Sequence, residues 1–388
     1  MIVCLLDRIQ GLLDRHSDKS SVIASFLDWM SAFDRQDPTI AIKKFIKLGV
    51  RASLIPLLIS YLSNRKMQVK FNGETSEFLK LIGGGPQGTL LGQLVYLVLS
   101  NDSADCVTDE DRYKYIDHLT LLELVCLSGL LTEYNSIEHV PSDIGVGQTY
   151  LPAEKFHTQD NLDYIARWSE QNQVKLNEPK CKYMIFTRSH EEVSTRLRIN
   201  NHTIEKIEAY KLLGIWITED LSWEYNTKEM CRKAYSRIAM LTKLKYIGTS
   251  TEDLIEIYIL FIRSLTEYCA VAFHSNLTLS QTTDIERIQK TCLKIILGDN
   301  FVSYPAALEM TGLESLFSRR EKRCLDFSLK AIKHPVHSRL FPLNRNQNNG
   351  TIGVRNREMF HVNFARTESY RKSAIPYCQR MLNKHFNK

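Results

Sequence analysis

The 388-residue sequence is 44% hydrophobic and 24% charged, a globular composition with apolar material for more than one core. Its formal net charge of +6 is a mild basic excess, compatible with a polyanionic partner but no demonstration of one. Nine cysteines with no Cys-x-x-Cys pair argue against a disulfide framework or a zinc ribbon and for reduced thiols in an intracellular setting, nuclear or cytoplasmic.

In chain order, residues 2–14 carry Val3, Leu6, Ile9, Leu12 and Leu13 at helical spacing and predict an amphipathic helix. The apolar start is stopped by Asp7 and Arg8, and the run Leu90–Leu99 is too short to span a bilayer, so no membrane association is expected. Val22–Leu27 reads as a short strand ending at Asp28. Pro38 opens a helix closed by Gly49, and a second helix follows over 52–62. Gln68–Phe71 and Phe78–Ile82 are expected to pair as strands across the Asn72-Gly73 turn. A glycine cluster at 83–85 precedes a helix over about 88–100. Tyr113–Ile116 and Leu119–Leu122 predict two strands flanking Asp117-His118. Residues 141–156 read as a loop, 161–173 as a helix, and Tyr183–Phe186 and Tyr210–Ile217 as strands. From about 226 the pattern is helical, broken by a polar loop at 344–357. The order implies an α+β domain followed by helical domains.

Three segments carry candidate chemistry. The first is Phe26-Leu27-Asp28-Trp29-Met30-Ser31-Ala32-Phe33-Asp34, where an acid ends an apolar strand; such an acid is either a metal ligand or a helix cap. The second is Gly83-Gly84-Gly85-Pro86-Gln87-Gly88-Thr89. Its glycines permit close backbone approach, by a flat ligand or within an ordinary loop, and it lacks the Lys-Ser/Thr ending of a phosphate-binding P-loop. The third is Tyr113-Lys114-Tyr115-Ile116-Asp117-His118-Leu119-Thr120, a turn with an acid at its tip, a pattern shared with plain surface hairpins.

Taken in this order, the segments resemble motifs A, B and C of reverse transcriptases from non-LTR retrotransposons. Val174-Lys175-Leu176-Asn177 with Lys180 resembles their motif D. Lys211-Leu212-Leu213-Gly214-Ile215 with Leu221-Ser222-Trp223 resembles their primer-grip region. Ile285-Glu286-Arg287-Ile288-Gln289-Lys290 resembles the helix after their thumb, and the Tyr370–Asn383 stretch resembles their carboxy-terminal end.

The resemblance implies an α+β right-hand palm over 1–225 with a remnant of fingers, thumb-like helices over 226–300, and a helical region over 301–388. It implies RNA-directed DNA synthesis on an RNA template and a DNA primer. Two Mg²⁺ ions would be held by Asp28 and Asp117 and would clamp the reacting oxygens. Phe33 would lie beneath the incoming sugar, and Pro86, Gln87 and Gly88 would touch nucleotide and template. Lys228, Arg232 and Lys233, on the first helix after the palm, read either as a phosphate-tracking face or as a solvated basic face. His334-Pro-Val-His337 reads as a surface loop, since no cysteine pair accompanies it.

Two departures stand out. His118 occupies the place of the second aspartate of motif C, and imidazole is a poor Mg²⁺ ligand. Few residues precede motif A, so the fingers are expected to be incomplete and apolar palm surface exposed. The resulting expectation is a degenerate polymerase with little or no activity. The rivals are a non-catalytic nucleic-acid-binding protein, a protein-interaction module and a non-functional fragment.

Overall fold

The computed structural model describes residues 1–16, 20–31, 33–86, 88–126, 148–150, 156–188, 192–344 and 358–387. The chain forms two compact units, Asp18–Ile207 and Ile2–Ser17 with Glu208–Lys388. The boundary between these compact units falls at 207/208. The first helix, α1 (Ile2–Arg15), belongs to the second unit rather than beside the palm strands.

The first unit is built on strand β1 (Ser20–Asp28), buried at all nine positions. Its neighbours are β2 (Arg112–Tyr115), β3 (His118–Cys126), β4 (Lys182–Thr187) and β5 (Glu205–Lys206), in the sheet order β5-β4-β1-β3-β2. β1 pairs antiparallel with both β3 and β4, and the β1–β3 register sets Asp28 opposite His118. Within this sheet the short edge strand β5 runs parallel to β4. A strand buried along its length reads as a continuous apolar run, which is the pattern of residues 22–27.

Helices α2 (Pro38–Lys47), α3 (Ile55–Leu62), α4 (Leu90–Ser100) and α5 (His157–Gln171) complete the unit. Asp37 caps α2, its Oδ1 accepting from the Thr39 and Ile40 amides at 2.7 and 2.9 Å, and Pro38 fits the first turn because no amide is needed there. Glu123 of β3 accepts from the His157 and Thr158 amides at 3.0 and 2.6 Å and so pins the start of α5 to the sheet. Ile23 and Leu27 of β1, Tyr96 and Leu99 of α4, and Ile165 and Trp168 of α5 meet in one core. Beside it Lys44 donates to Asp102 at 2.6 Å, Trp168 Nε1 donates to the same carboxylate oxygen at 2.9 Å, and the ammonium lies 4.7 Å from the Trp168 ring centre.

Residues 66–80 pair differently from expectation. Asn72-Gly73 does make the turn, but Lys70–Phe71 pairs with Glu74–Thr75, and Leu79–Lys80 returns to Lys66–Met67. The short inner hairpin arises because Ser76 hydroxyl and carbonyl engage Val69 N and Gln68 Nε2, which interrupts the ladder. The stretch from 46 to 97 exposes large apolar side chains, with Ile82 94% and Leu90 87% exposed. Residues 148–150, expected within a loop, form a strand parallel to 192–194, while most of the rest of that loop and most of 344–357 lie outside the described residues.

In the second unit the segment expected as strand 210–217 is a hairpin, Ala209–Leu212 with Ile215–Thr218. Leu213 and Gly214 turn it with φ of 46° and 88°, the double left-handed turn that suits strand twist. Gly214 also leaves room for Tyr268, whose hydroxyl donates to the Leu213 carbonyl at 2.8 Å. Helix α6 (Glu224–Tyr246) buries Met230, Ala234, Ile238 and Leu241, and the last three share a core with Ile288, Cys292 and Ile296 of α7 (Leu279–Leu297). Glu286 of α7 accepts from Leu316 and Phe317 amides, at 3.3 and 2.5 Å, at the start of α8 (Leu316–Ala331). The carboxylate thus sits at the positive end of that helix.

Helix α1 and the last helix, α9 (Ala374–Phe386), pack in the same unit. Asp14, 1% exposed, accepts from Arg366 N, Thr367 N and Thr367 Oγ1 at 2.7, 2.8 and 2.6 Å. Asp7 lies against Tyr370, and burial pushes its carboxyl up to about 6 although the Tyr370 hydroxyl and Arg15 oppose the rise. A carboxyl whose folded pKa is raised binds its proton more tightly when folded. Its charge therefore lowers stability as pH climbs from about 4 to about 6, and the loss persists above. We expect Asp7→Asn to stabilise the second unit at pH 7.5 by about 1–2 kcal/mol, allowing for partial solvent access, and to change nothing at pH 4. Hydrogen exchange of α9 amides at the two pH values checks this; equal protection at pH 7.5 would contradict it.

Candidate functional site

The site grows from the end of β1. Past Asp28 the chain leaves the sheet: Trp29 bridges Leu176, and Met30 N donates to the Lys175 carbonyl at 2.8 Å. Asn177 N donates to the Asp28 carbonyl at 2.9 Å, so the motif D stretch holds the backbone of the motif A acid. Ser31 then turns with φ 50° and its carbonyl accepts from Asp34 and Arg35 amides.

The glycine segment docks on that turn. Gly84 N donates to the Gln36 carbonyl at 2.8 Å and Gly85 N to the Phe33 carbonyl at 2.7 Å. A Cβ at Gly84 would lie 3.1 Å from the Asp34 carbonyl oxygen, and one at Gly85 2.4 Å from Gln36 Oε1. The close approach that these glycines allow is thus to the chain itself at 34–36. Arg65 secures the far side by donating to the Gly83 and Gly84 carbonyls. Thr89 caps α4 through Gly92 N at 3.0 Å, and Gly88 has φ 77°. Pro86 is half-buried, and Gln87 lies outside the described residues.

Asp117 sits in the two-residue turn between β2 and β3. Ile116 ahead of it has φ 53°, a left-handed conformation costly for a β-branched residue. His118 lies between the two acids: its Nδ1 is 3.9 Å from Asp28 Oδ1 and its Nε2 3.9 Å from Asp117 Oδ1. The second oxygen of Asp28 faces Asn177 Nδ2 at 3.4 Å and Lys180 Nζ at 3.6 Å. Phe33 packs on Tyr96, ring centres 5.0 Å apart. The Tyr96 hydroxyl is buried without a hydrogen-bond partner among the described residues, and burial, then Asp117 and Asp28, hold it far above the ordinary phenol range.

These donors do not fit a pair of Mg²⁺ ions. Mg²⁺ asks for near-octahedral oxygen ligands. Here an imidazole stands between the two carboxylates, and an ammonium and an amide already face one of them. Among the described residues no group of three or more His, Cys, Asp or Glu is placed to hold a metal ion.

The basic residues expected on the helix after the palm lie on α6, in the second unit. Lys228 and Arg232 are exposed, and Arg232 is paired with Glu229 at 2.9 Å. Lys233 is half-buried, its ammonium pushed down by burial and by Lys211. Arg237, further along α6, donates to the Phe261 carbonyl.

Sequence patterns missed Tyr96, Gln36 and Arg65. Tyr96 belongs to the buried stripe of an apolar helix and carries no local mark of its nearness to Asp28 and Asp117. Gln36 and Arg65 act through the glycine segment's backbone, which no side-chain pattern reports.

No protein-family model matches the chain. Curated relatives do. The RNA-directed DNA polymerase from mobile element jockey of Drosophila melanogaster is 25% identical over 235 residues, 60% of this chain and 23% of that protein. The probable RNA-directed DNA polymerases from transposon X-element and transposon BS of the same species are 24% and 25% identical over 231 residues each. This chain is a relative of the reverse transcriptases of non-LTR retrotransposons. It spans under a quarter of the length of these curated relatives. The structure of telomerase from Candida albicans with a telomeric RNA fragment overlaps 79% of this reverse-transcriptase relative at TM-score 0.38 and 11% identity, too low to bear on the fold. The α+β fold rests on the sheet and helices themselves. Among the described residues no helix is long and apolar enough to cross a membrane.

Removing the lone buried hydroxyl beside the acids should help the fold. We expect Tyr96→Phe to stabilise the first unit by about 1 kcal/mol, because an unpaired buried hydroxyl is costly. Urea unfolding checks this; a loss of stability would mean that the hydroxyl has a partner in solution.

Proposed function

We propose that this chain is a reverse-transcriptase-derived protein that has lost two-metal nucleotidyl transfer and keeps an affinity for nucleic acid. The observation that carries the first half is His118, set opposite Asp28 by the strand register and within 3.9 Å of both acids. A second carboxylate at that place would add charge and oxygen donors for a cation; the imidazole adds neither. Asp28 and Asp117 are the remnant of the metal site in this reading. Phe33, Pro86, Gln87 and Gly88 are the remnant of the nucleotide pocket. We expect no primer extension above a no-enzyme control on an RNA template with a DNA primer, in Mg²⁺ or Mn²⁺. Templated extension that disappears on Asp117→Ala would overturn the proposal.

Nucleic-acid affinity in this reading lies mainly on α6, where Lys228 has no ion-pair partner among the described residues. Contacts there would be to phosphates and nearly independent of sequence. With two or three phosphates engaged, affinity should fall about 10–40-fold between ~50 and ~200 mM salt. Filter binding of an RNA–DNA hybrid by wild type and by Lys228→Glu/Arg232→Glu/Lys233→Glu measures this. Equal binding at every salt concentration would leave α6 a solvated face, all the more because Glu229 already neutralises Arg232.

A further inference from the structure

Helices α8 and α9 leave a groove of about 530 Å³ between them, its α9 side drawn largely from the Tyr370–Asn383 stretch and distant in sequence from the residues at Asp28 and Asp117. That is the size range of small-ligand pockets. On α9 it is lined by Tyr377, Arg380, Met381 and Lys384, a stripe at i, i+3, i+4 and i+7. On α8 it is lined by Glu321, Lys322 and Leu325. Each helix spends a different stripe on the core: Arg320, Cys324 and Ser328 on α8, and Cys378, Gln379 and Leu382 on α9. The groove-facing stripes are distinct from these, although Tyr377 also meets the buried His274 ring edge-on, centroids 5.9 Å apart.

The chemistry of the lining is mixed. Lys322 is paired with Glu314. Lys384 is exposed and has no ion-pair partner among the described residues. Arg380 is half-buried and donates to one acceptor, the Arg371 carbonyl, among the described residues. Burial and the nearby Arg371 disfavour its charge, and Glu368 partly offsets them. Glu321 accepts from the Tyr377 hydroxyl at 3.5 Å and is the single carboxylate in the lining. Tyr377, Leu325 and Met381 supply apolar and aromatic surface beside these charges.

We propose that this groove binds one nucleotide unit of single-stranded nucleic acid, its phosphate on Arg380 and Lys384 and its base against Tyr377 and Met381. Glu321 accepts a hydrogen bond from a base amino group or a ribose hydroxyl. An acidic peptide would satisfy the cations but bring Glu321 no side-chain hydrogen-bond donor and leave the aromatic surface unused. A nucleotide meets all three kinds of lining, since every base offers a flat face for stacking. The inference rests on the nucleic-acid reading above and adds to it a second locus, distinct from α6.

The test is fluorescence anisotropy of the full chain with a labelled ten-nucleotide oligo(dA), with tripolyphosphate and a glutamate decapeptide as competitors. Arg380→Gln/Lys384→Gln should weaken oligonucleotide binding at least tenfold. Tyr377→Leu should weaken it at least fivefold while leaving tripolyphosphate binding unchanged, which a purely electrostatic patch would not do. Because Tyr377 could also affect folding, wild-type chain is crosslinked to a 4-thiouridine oligonucleotide, and adducts are expected within residues 374–386. Wild type that binds oligonucleotide while the groove variants bind equally, with adducts confined to α6, overturns this proposal alone. Wild type that binds no oligonucleotide overturns the nucleic-acid reading with it. Displacement by the decapeptide as effective as by unlabelled oligonucleotide overturns it in favour of an acidic-peptide site.

Discussion

Strand β1 and its register with β3 are what the first unit depends on. Among the described residues β1 is the one strand flanked by two long antiparallel partners, and it is buried at every position. A slip of one residue would exchange the two faces of the strand and send the core side chains to the wrong side. The same register decides which residue meets Asp28. With Asp28 opposite His118, the β2–β3 turn carries Asp117 to the strand end, and the motif D stretch closes behind through Asn177.

The electrostatics at that point turn on His118. Two carboxylates alone would repel and would be reconciled by a divalent cation. With His118 between them, and Lys180 and Asn177 at the outer oxygen of Asp28, the acids have protein partners instead. Around this centre the scaffold is held by backbone contacts. The glycine segment docks on the turn after β1, and Arg65 ties its carbonyls. Ile116 occupies a left-handed position that local sequence would not choose.

Much of this was legible in the sequence because it is local or motif-bound. The strand ending at Asp28, the turn at Asp117, the glycine segment and the helix after it are each marked by residues close in the chain. Where the ladder of residues 66–80 breaks was not legible, because the hydroxyl of Ser76 competes with backbone pairing and carries no distinctive pattern. The reduced strength of the α6 basic face was legible in principle: Glu229 stands three residues before Arg232, within reach on a helix. The destination of α1 was not. Its periodicity announces a buried face and says nothing of what buries it. The hairpin at 209–218 joins the second unit because Tyr268 closes over Gly214, a contact across some fifty residues that composition cannot announce.

The union of α1 with residues 366–386 has a consequence for how the protein is made. In connectivity, the first unit is inserted between α1 and the remainder of the second. Asp14 finds its amide partners at Arg366 and Thr367, 352 and 353 positions later. At ribosomal rates of about 5–20 residues per second, α1 waits on the order of tens of seconds with its apolar face uncovered. The palm sheet can close during that interval, since its strands all lie before residue 207. A chain that stopped short of residue 366 would release a folded sheet carrying an unsheathed greasy helix at its front, a species suited to chaperone capture or clumping rather than to solution.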